Sequence, residues 1–420
     1  MIVREAKLLK GSKSQYERLD KAIRTAQFIR NKAVRLWRDE RDVDKSRISR
    51  LCKELAKEFP FAKKLNSMAR QASGERAWNS ISSFYRRCRE GAKKKGYPQF
   101  KKHCRSVEYK TTGWKLSSDC KSINFTDGFK AGQFSLFCNK EVREDLLTLK
   151  INRIRVVRRA DGYYAQFCFD ANRSEPGNYT GNVVGLDLGL NYFYKDQNDN
   201  AAIYPKYLRK AEKRIKKLQR RLSRKFKKGA KPQSNNYHKA RIRLGKSHLK
   251  VQRQRKDWAV KLARYVVTSN DVVVYENLQI QNLVKNHHLA KSISDSSWYQ
   301  FTQWLDYFGK VWDKAVISVS PNFTSQDCSN CGFRVKKSLS TRTHKCSKCH
   351  TEICRDTNAA LNILKKGMSI LGNEYQQYST EGHLETADLI SGTLGETSTS
   401  VDEEQSESIS CVTEPRISNC

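Results

Sequence analysis

The chain has 420 residues, 38% of them hydrophobic, enough to fill two or three cores. Lysine and arginine number 81 against 43 acids, a net charge of +38. No apolar stretch approaches the roughly 18 residues that span a bilayer, and the first residues form no hydrophobic signal region. That combination argues against a membrane protein and predicts a cytoplasmic one with reduced cysteines.

The charge is uneven. Leu371–Cys420 holds ten acids and one base, which leaves +47 on Met1–Ile370. So basic a body repels itself unless polyanions screen it, so nucleic acid is the expected partner and a nucleoid-associated location follows. The 13 cysteines are scattered singly apart from two close pairs. That pattern suggests one metal site and no disulfide framework.

Ile2 to Leu9 reads as a strand. From Ser14 to Glu90 the pattern turns helical, with Leu19, Ile23, Ala26, Ile29, Ala33 and Leu36 three or four apart. A second helical stretch, Met68 to Arg89, carries Trp78, Ile81, Phe84 and Tyr85, and "GYPQF" at 96–100 breaks it. Strand-like segments follow: "SVEYKT", "SINFTD", "GQFSLF" and "INRIRVVRRADGYYAQFCFD", the last with Asp161-Gly162 as a hairpin turn. Residues 1–12 and 100–175 are thus expected to form a small β-barrel, with 13–99 as a helical insertion.

After the linker "ANRSEPGNYTG" comes "NVVGLDLGLNYFY", then a basic helix over Lys206–Lys228 with 13 Lys or Arg and one Glu. Leu208, Ile215, Leu218 and Leu222 share one seam. The return helix repeats Leu244, Val251 and Trp258 at intervals of seven, so residues 206–268 form a hairpin with a dry seam and a cationic exterior. Thirteen bases against one acid favour a phosphate-facing surface over a merely solvated one. Beyond Gly372 the Ser/Thr/Glu-rich sequence lacks periodicity, and 372–420 is expected as a disordered acidic tail.

Two constellations carry chemistry. Cys328 and Cys331, then fourteen residues, then Cys346 and Cys349, have zinc-ribbon spacing, placing one structural Zn²⁺ in residues 321–351. Cys346-Ser-Lys-Cys349-His350 also spells a c-type haem attachment site, but the second Cys-x-x-Cys pair and the missing signal region oppose it. In "NVVGLDLGL", alternation puts Val183, Gly185 and Asp187 on one strand face; in "DVVVYENL", Val272, Val274 and Glu276 share another. A carboxylate among apolar strand residues is costly unless a partner or metal satisfies it. Asp356 opens a helix through Ala360, Ile363 and Leu364. Taken singly, Asp356 reads as a helix N-cap and Glu276 as a strand-end residue turning to solvent. Together, two strand-end acids and a helix-start acid fit an RNase H-like α/β domain over 181–320 and 352–371. There Asp187, Glu276 and Asp356 would hold two Mg²⁺ ions about 4 Å apart for phosphodiester hydrolysis.

"GLDLGLNYF", "RRLSRKFKKG", "VVVYENLQIQNLVKNHHLAKSISDSSW", "SPNFTSQDCSNCG" and "CRDTNAALNIL" occur in the order seen in TnpB proteins, which the chain resembles from about Val183 to Leu371. These are RNA-guided nucleases of insertion-sequence transposons, related to compact type V CRISPR effectors. The likeness is looser earlier, at "GYPQFKK" and "SVEY". The resemblance implies an α+β multidomain protein: a wedge-type barrel holding a recognition helical insertion, then a RuvC nuclease domain with an inserted zinc ribbon. It implies a guide RNA pairing with double-stranded target DNA beside a short adjacent motif, in a monomeric ribonucleoprotein. It makes Asp187, Glu276 and Asp356 the catalytic magnesium ligands, and the four cysteines the zinc ligands. Arg355 becomes either a contact to the scissile phosphate or a solvated side chain. Relatives often carry an acid at Cys354 and Gly at His350; Cys354 either competes for zinc or packs. The leading expectation is a Mg²⁺-dependent RNA-guided DNA endonuclease. The alternatives are an RNA-independent transposase or resolvase-type protein, and an RNA-guided DNA-binding regulator that does not cut.

Overall fold

The computed structural model describes residues 2–380 apart from 172, 231 and 339, with side chains as far as 372. Strand β1 (Ile2–Leu9) leads to helix α1 (Lys13–Asp39), whose start is fixed by a capping box between Ser12 and Gln15. Helix α2 (Lys45–Glu58) is capped by Asp44, α3 (Pro60–Lys64) begins on proline, and α4 (Ser67–Arg89) is capped by Asn66. Leu19, Ile23, Ala26, Ile29 and Ala33 are buried, as the three-and-four spacing predicts, and Leu36 packs at the margin.

Six strands and one helix complete this half: β2 (Ser106–Tyr109), β3 (Trp114–Leu116), β4 (Ser122–Phe125), β5 (Gly132–Phe137), α5 (Lys140–Thr148), β6 (Ile151–Arg159) and β7 (Gly162–Phe169). They form one antiparallel sheet with β1, in the order β2-β6-β7-β1-β5-β4-β3. Because β1 lies between β5 and β7, the chain leaves the sheet for α1–α4 and then returns to both sides of its first strand. The ladder does not join β2 to β3 among the described residues, so hydrogen bonding leaves a seam where a closed barrel was expected. The β6–β7 loop is Ala160-Asp161, one residue earlier than the Asp-Gly signal, since Arg159 pairs with Gly162. Asp161 is drawn into the turn by its side chain, which accepts from the Tyr164 hydroxyl and from Arg253, both at 2.8 Å.

The second half contains β8 (Val183–Leu188), β9 (Tyr194–Lys195), β10 (Ala201–Ala202), α6 (Tyr207–Lys225), α7 (Asn235–Ser269), β11 (Val272–Glu276), α8 (Ile280–Leu283), α9 (Ala290–Ser296), α10 (Trp298–Trp312) and β12 (Ala315–Val319). The small hairpin β13 (Thr343–Lys345) and β14 (Glu352–Cys354) runs straight into α11 (Arg355–Thr380). The sheet order is β10-β9-β8-β11-β12, with β8, β11 and β12 parallel and β9 and β10 antiparallel. Both faces of the parallel strands are covered, which explains their continuous apolar runs. Val184, Leu186, Val273 and Tyr275 pack on α7 and α10, while Val183, Val272 and Val274 pack on Ile363, Leu364 and Met368 of α11. Helix α6 buries only Ile215 and turns its bases outward. Helix α11 continues past the expected boundary at 372, and the remainder of the anticipated acidic tail, 381–420, lies outside the described residues.

Helix α11 approaches the sheet through two glycines. A Cβ on Gly185 would lie 2.4 Å from the Ala360 carbonyl oxygen, and one on Gly367 would lie 2.3 Å from a Val274 methyl. A mid-helix glycine costs about 1 kcal/mol relative to alanine, so Gly367 is there for the contact. Gly185→Ala is expected to lower the thermal midpoint by several degrees, because overpacking costs about 1–3 kcal/mol and a backbone oxygen cannot rotate away. Gly372→Ala, which meets nothing within 4 Å, should raise it slightly in the same melting assay.

Candidate active site and metal centre

The parallel register pairs Val272 with Val183 and continues to Tyr275 with Leu186. One further step sets Glu276 beside Asp187, on strands about 4.8 Å apart and on the face that carries α11. Ala360 and Leu364 sit over Gly185, so Asp356, about one turn before Ala360, lies towards the strand ends. The three acids therefore converge from two strands and a helix start. Burial pushes the Asp187 carboxyl well up, and the nearby charges of Glu276 and Asp356 push the same way against Arg355. Burial also raises Glu276, whose Oε1 accepts from the Thr324 hydroxyl at 2.5 Å.

Other desolvated acids in this half are paired. Asp271 accepts from the backbone of Thr180 at 2.8 Å and Gly181 at 2.6 Å and meets buried Lys314 at 3.2 Å. Asp295 binds Arg255 at 2.7 Å and caps α6 through the Leu208 amide at 2.9 Å. Asp187 accepts no hydrogen bond from the described residues, although burial pushes its carboxyl well above the ordinary carboxylate range. A carboxylate left in this condition suits a cation, and oxygen donors of this kind suit a hard one.

Asp356 lies in the first turn of α11, where the helix dipole favours a negative charge. Its Oδ1 accepts from Arg355 Nε at 3.0 Å and Nη2 at 2.9 Å, and Arg355 also reaches the Thr341 carbonyl at 3.2 Å. Arg355 is thus tied to the site and is not a solvated side chain.

The four cysteine sulfurs lie within 4.8 Å of one another. Cys328–Cys349 and Cys331–Cys346 are each 3.6 Å apart, and all four are free thiols. A tetrahedron with metal–sulfur bonds of about 2.3 Å has edges of about 3.8 Å, so the set fits one ion of zinc's size and softness. The residue after each knuckle is left-handed: Gly332 at φ 74° and His350 at φ 57°. That conformation is free for glycine and strained for histidine, so the second knuckle carries a strain that the first does not. Cys354 stands outside the cluster and accepts from Lys195 Nζ at 3.2 Å. Burial pushes its thiol up, but the Thr357 and Asp356 amides and Lys195 outweigh that and bring it down.

Sequence reasoning overlooked three residues here. Lys195 faces Asp187 across the β8–β9 ladder and pairs with Asp199 at 2.6 Å. Asn358 and Asn362, one turn apart on α11, are buried and hold the metal loop. Asn358 accepts from the Ser329 amide at 2.9 Å and donates to the Asp327 carbonyl at 2.8 Å; Asn362 donates to Thr324 at 2.9 Å and Asp327 at 2.7 Å. Two asparagines four apart inside an apolar helix were the available signal. They explain why an acid follows so soon after the second knuckle: the helix that carries Asp356 also anchors the loop that carries Cys328.

The raised carboxyl of Asp187 has a sign. A folded acid with a raised pKa favours folding below the ordinary carboxylate range and opposes it once pH rises through that range. In magnesium-free buffer at neutral pH, Asp187→Asn is expected to melt about 2 °C or more above wild type. The gap should close as pH falls. An equal or lower midpoint at neutral pH would contradict the uncompensated burial of Asp187.

Residues 166–287, which include Asp187, the basic hairpin and Glu276, match the OrfB_IS605 family model, described as a probable transposase. Residues 298–363, which include the four cysteines and Asp356, match the Cas12f1-like TNB domain. A Streptomyces pristinaespiralis protein named "Putative RNA-guided DNA endonuclease" is 27% identical over 325 residues, 74% of this chain and 74% of that protein. A protein of Escherichia coli (strain K12) with the same name and the suffix InsQ is 26% identical over 298 residues, 66% of this chain and 70% of that one. The cryo-EM structure of a Cas12f1-sgRNA-target DNA complex matches with a TM-score of 0.53 at 15% identity, covering 83% of this chain and 82% of that one, a likeness of fold. With a match to OrfB_IS605 followed by one to the Cas12f1-like TNB domain, the chain is similar to TnpB-like and Cas12f proteins.

Proposed function

We propose that the protein is an RNA-guided DNA endonuclease that cuts by metal-assisted phosphodiester hydrolysis. The observation that carries this is the convergence of Asp187, Glu276 and Asp356, with Asp187 lacking a donor among the described residues, on a strongly basic body. The order β10-β9-β8-β11-β12, with three parallel strands and an antiparallel pair, supports reading the second half as RNase H-like and of RuvC type. The antiparallel sheet interrupted by α1–α4 supports a wedge-type unit with a recognition insertion. The names of the relatives agree with guided DNA cutting.

Asp187, Glu276 and Asp356 would hold Mg²⁺, which when bound activates water and stabilises the leaving oxygen. The chain's own contribution is to hold those acids in place. Thr324 orients Glu276, Arg355 orients Asp356, and α11 covers the face they share. The four cysteines would hold Zn²⁺ and so fix the loop that Asn358 and Asn362 grip. The outward bases of α6 and α7 offer a track for the phosphates of a guide RNA paired with target DNA. No helix among the described residues is long and apolar enough to cross a membrane, and a nucleoid-associated monomeric ribonucleoprotein is the matching proposal.

The decisive experiment is sequencing of RNA that co-purifies with the protein expressed beside its native flanking DNA, followed by programmed cleavage. A discrete structured RNA ending in flank-derived sequence is expected. Its absence from a folded, zinc-loaded preparation would shift the reading to RNA-independent DNA processing. With guidance established, Asp187→Ala is expected to reduce cleavage at least a thousandfold while leaving RNA and target binding within a few fold. Loss of target binding by a folded variant would remove Asp187 from the assigned role. Cys346→Ser is expected to lose the zinc and lower the thermal midpoint, as judged by metal analysis and melting. Unchanged values of both would refute the structural metal.

A further inference from the structure

The N-terminal half contains a second built pocket, far along the chain from the carboxylates. A cavity of about 590 Å³ lies between α1, α3 and the β4–β5 loop. Arg18, Lys21 and Arg24 line it as a stripe three residues apart on α1, and Lys64 enters from the end of α3. No acid lines it, and among the described residues none of these four bases forms an ion pair with a carboxylate. A stripe of unpaired like charges is unfavourable unless an anion occupies it. Arg18 is already aimed, because its guanidinium donates to the Lys130 carbonyl at 2.6 Å.

The rest of the lining is aromatic. Phe28, Phe61 and Phe129 contribute to it, and Phe61 is 43% exposed although it is a large apolar ring. Phe61 is propped edge-on by Phe28 at 5.1 Å and by the tilted ring of Phe59 at 5.6 Å, which leaves part of the ring open to the cavity. The opposite wall is fixed as well. A Cβ on Gly128 would lie 2.8 Å from the Lys64 backbone, and Asp127 pins the loop by accepting from the Tyr109 hydroxyl at 2.8 Å and the Phe129 amide at 3.2 Å.

We propose that this pocket binds one unpaired nucleotide of a single-stranded segment, with its phosphate on the Arg18–Lys21–Arg24–Lys64 cluster and its base against Phe61. Cations and open rings side by side are the combination that holds single strands, the charge tracking the backbone and the ring stacking a base. The volume falls within the range of about 300–1,000 Å³ for small-ligand pockets, with room for a nucleotide. The inference rests on the reading of the protein as nucleic-acid-guided, and adds to it a place where a strand is held outside pairing.

The test uses the full chain as purified with its RNA. Short single strands carrying 5-iodouracil, made separately as RNA and as DNA, are irradiated with the complex, and the adducts are mapped by peptide mass spectrometry. Adducts are expected at Phe61, Phe28 or Phe129, and Phe61→Leu is expected to lower their yield roughly tenfold. The Lys21→Gln/Arg24→Gln double variant should lower it similarly. Adducts with the RNA probe alone would assign the pocket to a guide segment, and with the DNA probe alone to a displaced target strand. Adducts confined to other regions, or unchanged by Phe61→Leu in a variant that melts as wild type, would overturn the proposal. Guided cleavage assayed in parallel separates the two readings. Cutting without pocket adducts removes this inference alone, and pocket adducts without cutting uphold it against the nuclease reading.

Discussion

The second half depends on how closely α11 can lie against the parallel strands. Gly185 lets the Ala360 backbone come down on β8 and Gly367 lets α11 close over the Val274 side chain, so the helix lies nearer the sheet than any larger residue at either position would allow. That approach places the first turn of α11 near the ends of β8 and β11, and Asp356 with it. The same turns carry Asn358 and Asn362, whose amides hold the Thr324–Ser329 loop. Thr324 in turn donates to Glu276. One packing distance therefore reaches the third acid, the cysteine loop and the second acid through successive contacts.

Charge is distributed with the same economy. Glu212, the single acid of α6, meets Lys216 at 2.8 Å and also binds Lys291, so it fastens the hairpin to α9. Asp295 joins α6 to α7 through Arg255 and supplies the cap that Lys206, left-handed and without a side-chain cap, does not. Asp161 links the β6–β7 turn to α7 through Arg253 at 2.8 Å, connecting the two halves by an ion pair. With so many acids committed to joints, the basic surfaces keep their charge uncompensated. The acid cluster stands out because, among the described residues, Asp187 is tied to no joint.

What could be read from the sequence follows from how local each signal is. Period-two alternation put Asp187 and Glu276 on identifiable strand faces, and cysteine spacing marked a metal loop before any contact was known. The relation between the acids was harder to read, because it depends on a parallel register across a crossover of 80-odd residues. Strand β9 has only two residues amid Asn, Asp and Gly, so Lys195 left no periodic trace. The loss of apolar periodicity put the start of the tail at residue 372, yet the helix runs on through Gly372 to Thr380. The Asp-Gly turn signal missed by one residue because Asp161 is held by Tyr164 and Arg253, contacts no turn rule contains.

The position of β1 also governs how the protein comes off the ribosome. Its partners are Ser135–Phe137 and Tyr163–Phe169, so the first strand emerges long before anything can pair with it. At 5–20 residues per second the wait is on the order of ten seconds, during which α1–α4 emerge and the exposed strand edge needs protection. The acid centre is assembled later still, since Asp356 follows every element that would grip a nucleic acid. A chain interrupted before that residue has the basic hairpin and two strand acids but not the third.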